Sequence, residues 1–328
     1  MSYFVTGATG FVGGRVARQL VAQGHQVIAL VRDPAKAQDL ANLGITLAPG
    51  DITDKESLRS PMTNTDGVFH IAGWYKIGVK NNQPGAQINI QGTRNVLETM
   101  QELGIPKGVY TSTLAVNSDT HGQLVDETYR YNGPHLSEYD RTKAVAHAIA
   151  EEKMAQGLPL VVVMPGLIYG PGDTSSVRQT FVQYLKRQLS IIPAQSTYCW
   201  AHVDDIANAH LLAMEKGTPG ETYIIAGPSY GLTEAFALAQ KITSIPKPWG
   251  APPILFKGLS QLVGLVETVL PIPDLYSSEN LRVLAGVTYL GNNTKAKQAL
   301  GYDPRSLEVG LAETLNHEMA LLGMDPAT

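Results

Sequence analysis

The chain has 328 residues, 44% of them apolar and 16% charged, with a formal net charge of −4. That length suits one large α/β domain or two modest ones, and that balance suits a globular chain with a sizeable core. The mild acidity gives no reason to expect nucleic acid or a membrane as partner, and a lone cysteine, Cys199, excludes an internal disulfide framework.

In chain order, YFVTG (residues 3–7) reads as a short apolar strand that follows directly on the first residues, with no basic leader segment. GFVGGRVARQLVAQG then carries Val12, Val16, Leu20 and Val21 at helical spacing, and Gly24 stops that helix before the strand HQVIALV. Four further strand-like runs follow, ITLAPGD, DGVFHIAG, KGVYTST and LPLVVVMPG, with helical segments such as AQINIQGTRNVLETMQELG between them. Alternating strands and helices predict an α/β fold: a doubly wound parallel sheet covered on both faces.

After residue 165 the texture changes. PGLIYGPGD reads as loop, TSSVRQTFVQYLKRQ and HVDDIANAHLLAMEKG as helices, and ETYIIAGPS as a strand. From about Leu232 the chain is mostly helical and rich in Pro and Gly. The apolar run Ile254 to Leu270 is broken by Lys257, Glu267 and two glycines, so it predicts a core or pocket-lining helix rather than a membrane span. The expected division is a nucleotide-binding domain over 1–165, rejoined by about 200–226. A smaller, mostly helical substrate lobe takes 166–199 and 227–328. The expected location is the cytoplasm.

TGATGFVGG (Thr6 to Gly14) falls between the first strand and the first helix. Gly7 permits a tight turn, Gly10 lets the backbone approach a pyrophosphate, and Gly13 allows close helix–sheet packing. The helix N-terminus beyond them attracts phosphates. In this setting the pattern predicts a dinucleotide site of the Rossmann type. At the tip of the second strand, VRDPAK presents Arg32, then Asp33, with Lys36 one turn on. A guanidinium suits a 2′-phosphate, so NADP(H) is favoured over NAD(H), although Asp33 can take the ribose instead and Arg32 can simply be solvated. Asp51, ending the third strand, is a candidate for the adenine amino group, or a cap for the helix beginning at DKESL.

TGATGFVG, GDITD, FHIAG, NIQGT, YTST, YDRTK and PGLIYGPGD occur in this order, with WAHVDDIANAHLLAMEKG and LGYDPR later. Together they resemble the extended short-chain dehydrogenase/reductase superfamily, also called the NAD-dependent epimerase/dehydratase family. Within it, VRDP and the motif spacing are similar to the dihydroflavonol-reductase-like branch. The resemblance implies an NAD(P)-dependent oxidoreductase with Thr113, Tyr139 and Lys143 as the catalytic group and Asn89 in support. It implies cofactor contacts from Gly7, Thr9, Gly10, Phe11, Val12 and Gly13, from Arg32, Lys36, Asp51 and Ile52, and from Ala72, Gly73, Tyr139, Lys143, Pro165 and Ile168. It also implies a homodimer through residues 84–103 and 138–156. Met164 stands where relatives usually have arginine.

Tyr139 and Lys143 lie one helical turn apart and share a face, with Ser137 and Asp140 as a cap. Moving a hydride to or from a carbinol carbon requires moving a proton on its oxygen. A tyrosine does this well when its pKa falls towards neutrality, which a nearby ammonium and an oxidised nicotinamide favour. Thr113 would hold the substrate oxygen, with Ser112 the alternative one residue away. Asn89 either supports the lysine and a proton-relay water or marks a helix bend. His70 reads as a packed imidazole. His202, Asp204 and Asp205 read as capping and bracing groups, with no metal expected.

The leading expectation is NADPH-dependent reduction of a ketone or aldehyde, so the partner is a small carbonyl or alcohol substrate. A nucleotide-sugar epimerase or dehydratase with tightly held NAD is the alternative, and a non-catalytic nucleotide-binding protein the third reading. From Gln188 to Asn280 there is no arginine, and the lysines are Lys216, Lys241, Lys247 and Lys257. Trp74, Tyr75, Tyr198, Trp200 and Trp249 suit a flat, apolar substrate, while Arg178 and Arg282 are the candidates for a phosphate clamp.

Overall fold

In the computed structural model, seven parallel strands form one sheet. The structure describes residues 1–78, 81–267, 270, 272 and 277–325. Thr268 and Val269, within the apolar run Ile254–Leu270, and the last three residues of the expected second lobe lie outside the described residues. The sheet strands are β1 (Ser2–Thr6), β2 (Gln26–Val31), β3 (Thr46–Pro49), β4 (Gly67–His70), β5 (Gly108–Thr111) and β6 (Leu160–Pro165). The later strands are β7 (Leu167–Tyr169), β8 (Ile191–Pro193), β9 (Thr197–His202), β10 (Thr222–Ile225), β11 (Ser229–Gly231), β12 (Trp249–Ala251) and β13 (Thr288–Tyr289). The main sheet runs β10-β6-β5-β4-β1-β2-β3, with the strand order reversing between β1 and β4. That reversal opens a crevice at the carboxyl ends of the strands, where ligands bind in such sheets.

Burial on both faces explains the near-continuous apolar strands. Along β6, Val161 and Val163 join one core while Leu160, Val162 and Met164 join the other. The first core takes the helices Phe11–Ala22 and Val203–Lys216 through Val16, Leu20 and Ile206. The second takes Glu56–Met62, Thr93–Glu102 and Glu138–Ala155 through Leu58, Leu97, Met100 and Ile149.

PGLIYGPGD, read above as loop, contains β7, which pairs with β9 in register Leu167↔Trp200 to Tyr169↔His202. The partner lies more than thirty residues on, so three residues gave no local signal. A second small sheet, β11-β9-β13 with β7 beside β9, carries a third core of Tyr169, Phe181, Tyr184, Trp200, Phe236, Leu307 and Leu311. Helices Ser176–Leu185, Leu232–Thr243, Ser278–Leu284, Thr294–Leu300 and Leu307–Leu321 fill the C-terminal region. The helix Pro253–Val266 lies outside the core, because it has no buried residue.

Candidate active site

The strand-to-helix turn after β1 is built by close approach. Gly7 has φ +76°, and a Cβ there would lie 2.8 Å from the Ala72 nitrogen. A Cβ on Gly13 would lie 2.1 Å from the Gly7 carbonyl oxygen, so the helix reaches the strand only as glycine. Gly10 is the N-cap of Phe11–Ala22 and offers no side-chain cap to the first-turn amides. These amides, the helix dipole and the glycine cradle border a cavity of about 870 Å³. The arrangement fits a pyrophosphate.

That cavity brings together most of the expected residues. Its walls include Gly7, Thr9, Gly10, Phe11, Val12, Gly13, Arg32, Asp51, Ile52, Ala72, Gly73, Thr113, Tyr139, Lys143, Pro165 and Ile168. Lys36 and Asn89 lie outside it. Lys36 turns to Asp33, 3.4 Å away, and Asp33 also accepts the Ala35 amide. Arg32 is exposed at the cavity wall and makes no hydrogen bond or ion pair with a described residue. Asp51 accepts the Thr53 amide and hydroxyl at 2.9 and 2.8 Å. It does not cap the next helix; Asp54 accepts the Glu56 amide there.

Asn89 is committed to Trp74 and Thr142 rather than to Lys143. Its side chain accepts the Trp74 amide at 2.7 Å and donates to the Trp74 carbonyl at 2.9 Å and the Thr142 hydroxyl at 3.0 Å. It sits in a π-helical stretch, Ala86–Gly92, in keeping with the helix-bend alternative. Such widened turns are rare and are found frequently at functional sites. Here Asn89 fastens the loop after β4 to the helix that carries Tyr139.

That helix, Glu138–Ala155, starts on Ser137, whose hydroxyl accepts the Asp140 amide at 3.1 Å and donates to the Asp140 carboxylate at 2.8 Å. Asp140 also accepts the Tyr289 hydroxyl at 2.9 Å. Burial pushes its carboxyl up to about 6, against the hydrogen bonds from Ser137 and Tyr289, with Glu279 adding in the same upward direction. Lys143 is buried, and its ammonium donates to the Thr111 carbonyl at 2.8 Å and the Tyr110 hydroxyl at 3.3 Å. Burial pushes Lys143 down to about 7. Burial likewise pushes the Tyr139 phenol up to about 12; a hydrogen bond with Thr113 opposes this and the Asp140 charge adds to it. In the protein's own surroundings desolvation outweighs the Thr113 hydrogen bond, so Tyr139 rests as a phenol.

Thr113, not Ser112, is the hydroxyl beside Tyr139. Ser112 is turned to the His147 ring at 2.8 Å. His70 is sandwiched between the Thr6 and Thr93 hydroxyls at 2.9 and 3.1 Å, and burial pushes it down to about 3. His202 caps Val203–Lys216 by accepting the Asp204 amide, while Asp204 pairs with Arg15 and Asp205 with Arg305.

Arg178 does not face the cavity as a phosphate clamp: it pairs with the buried Glu318 at 2.8 Å. Arg282 donates to the Leu136 carbonyl. Trp74, Tyr75, Tyr198 and Trp200 line the cavity, but Trp249 does not. Sequence reasoning missed Glu279, which accepts the Glu138 and Gly78 amides, each at 2.6 Å. Its two partners lie 141 and 201 positions away, so no local pattern marks it. Asn280 and Tyr289 also line the cavity unannounced, while Phe256 does so from the run expected to form a core or pocket-lining helix.

A sequence model of the NAD dependent epimerase/dehydratase family matches residues 3–226. A Synechocystis sp. protein provisionally named a dihydroflavonol 4-reductase is 32% identical over 96% of this chain and 93% of its own. A 2-alkyl-3-oxoalkanoate reductase of Stenotrophomonas maltophilia is 30% identical over 95% of this chain and 97% of its own. The crystal structure of the protein gox2253 is similar with a TM-score of 0.85, at 27% identity and 99% coverage of both chains.

Proposed function

Since the chain belongs to the NAD-dependent epimerase/dehydratase family, as an NAD(P)-dependent enzyme of the extended short-chain dehydrogenase/reductase type, we propose that it reduces a ketone or aldehyde on a largely apolar molecule with NADPH. One observation carries this choice. Arg32 and Lys143 are the basic residues lining the cavity among the described residues, and both stand in its nucleotide half. The other half is walled by groups such as Leu167, Val177, Phe181, Leu189, Leu232 and Phe236. A sugar nucleotide would leave its diphosphate there without a cation, at a desolvation cost of several kcal/mol or roughly that order. A neutral carbonyl compound has no such cost. The relatives named as reductases support the same reading.

Bound in the glycine cradle, the cofactor supplies the hydride. In this reading Thr113 holds the carbonyl oxygen and Tyr139 gives it a proton. Lys143, one helical turn from Tyr139 and bonded to the Thr111 carbonyl, fixes the phenol's surroundings and reaches the ribose side. Asn89 positions Trp74 and the Tyr139 helix and touches no reacting atom. Arg32 takes the 2′-phosphate, since Asp33 is already engaged with Ala35 and Lys36. Residues 1–165, rejoined by about 200–226, then form the cofactor domain, and 166–199 with 227–328 the substrate lobe. A homodimer through residues 84–103 and 138–156 and a cytoplasmic setting complete the proposal.

Purified protein assayed with NADPH against a panel of neutral ketones and aldehydes tests it. The expected result is NADPH consumption, with NADH poorer. Tightly held NAD together with interconversion of sugar nucleotides would overturn the reading, and light scattering showing a monomer would remove the dimer.

A further inference from the structure

The helix Pro253–Val266 turns its apolar side chains outward. Ile254, Leu262 and Leu265 are 74%, 62% and 73% exposed, and Leu255 and Leu259 are also exposed. Its other face rests on the helix Ser278–Leu284, where the Ser260 hydroxyl donates to the Ser278 carbonyl at 2.8 Å and Gly264 stands over Ser278. The apolar patch continues beyond the helix. Trp249, 60% exposed, and Ile191, 50% exposed, are paired neighbours across β12 and β8. The cavity reaches this patch, because Phe256, Ile191 and Ile192 are among its walls.

Charge indicates what covers it. Between Ala235 and Val266 there is no Asp or Glu, in a chain whose net charge is −4. Lys241, Lys247 and Lys257 are exposed in that stretch and pair with no described carboxylate. Net charge argued against an anionic surface; this local reversal argues for one. Outward leucines and isoleucine, a rim tryptophan, Lys257 on the helix itself and Lys247 two residues before Trp249 compose a helix suited to lie in the plane of a bilayer. No described helix is long and apolar enough to cross a membrane. A second copy docked on the same face would bring like lysines together, which is unfavourable.

We propose that Pro253–Val266, with Trp249 and Ile191, beds into an anionic lipid surface, and that a carbonyl substrate dissolved in that membrane enters the cavity past Phe256. The second clause rests on the reading of the site as an apolar carbonyl reductase. The first is measured without cofactor or substrate, so the two can fail separately.

The test is flotation of the full chain with vesicles of phosphatidylcholine plus phosphatidylglycerol, and with phosphatidylcholine alone. The wild type should float with the mixed vesicles, less with neutral ones, and less again at high salt. Leu262→Glu with Leu265→Glu should lower partitioning by about tenfold or more, without changing the thermal midpoint or turnover of a short, water-soluble ketone. Lys247→Glu with Lys257→Glu should remove the preference for the mixed vesicles, which guards against misfolding of the first variant. Failure of the wild type to float, or flotation of both variants equal to the wild type's, would overturn the proposal. So would a concentration-dependent dimer that the leucine variant abolishes while vesicle binding is absent, since the face would then belong to a second copy.

Discussion

Glu279 accepts the backbone N–H of Glu138 at 2.6 Å, so a residue from the C-terminal region caps the helix that carries Tyr139 and Lys143. Its second oxygen holds the Gly78 amide at the same distance, tying the loop after β4 to that helix. A carboxylate there also meets the positive end of the helix dipole. Glu279→Ala should cost about 2 kcal/mol of stability through two lost charge-assisted bonds. Because small misplacements of reacting groups are expensive, kcat should fall by about tenfold or more, with little change in the KM for NADPH. Glu279→Gln should recover part of both. A stability loss with unchanged kcat, measured well below the midpoint, would leave Glu279 a structural residue only.

Tyr139 gives a directional pH prediction. A phenol pushed up to about 12 stays protonated at neutral pH and is ready to donate to a carbonyl oxygen. The reverse reaction needs phenolate, whose population rises about tenfold per pH unit below the pKa. Carbonyl reduction should therefore be nearly flat around neutrality, while alcohol oxidation by the same enzyme climbs with pH. Tyr139→Phe should cost at least about a hundredfold in both directions and flatten the oxidation profile. Near-wild-type turnover of the variant would remove Tyr139 from the proton path.

Lys143 links the site to stability. Burial lowers it from the ordinary 10.5 to about 7, so across that interval the unfolded chain binds more protons than the folded one. Stability then rises with pH over the window, and the cost of burying the ammonium is fully present below about 7. Urea unfolding at neutral pH and near pH 9, roughly, should show the wild type gaining on Lys143→Met as pH rises. A difference independent of pH would mean that Lys143 keeps its ordinary pKa in the fold. The variant should also lose activity, since Tyr139 loses its neighbour.

The nucleotide half was legible in the sequence because its determinants are local. Gly7, Gly10 and Gly13 fall within one turn, and the apolar strands announce burial on both faces. Tyr139, Lys143 and Ser137 lie within seven residues, so helical spacing was enough to place them together. What was not legible depends on distant partners. Arg178 resembled a clamp until Glu318 was placed beside it, and the bonds that commit Asn89 to Trp74 join residues fifteen apart. The Leu167–Tyr169 strand needed β9, and the outward face of Pro253–Val266 needed the knowledge that the core was already filled by other helices. Nor does a spacing rule report desolvation, which opposes the fall that a nearby ammonium and an oxidised nicotinamide favour at Tyr139.

The proposed choice of NADPH over NADH rests on Arg32. It stands at the cavity wall without a described partner, whereas the neighbouring carboxylate of Asp33 is held by the Ala35 amide and Lys36. A guanidinium–phosphate pair is charge-assisted and can be bidentate, so its loss amounts to about 1.5–3 kcal/mol, or about 10- to 150-fold in affinity. Arg32→Ala should raise the KM for NADPH by that factor and leave the KM for NADH within about twofold. Lys36→Ala should matter far less, because its ammonium is turned towards Asp33 and is solvated. Asp33→Ala should not improve NADPH use greatly, since that carboxylate faces the following turn rather than the cavity. Equal losses for NADPH and NADH in Arg32→Ala would show that Arg32 acts on the adenosine generally, and the preference for a 2′-phosphate would then have to be abandoned.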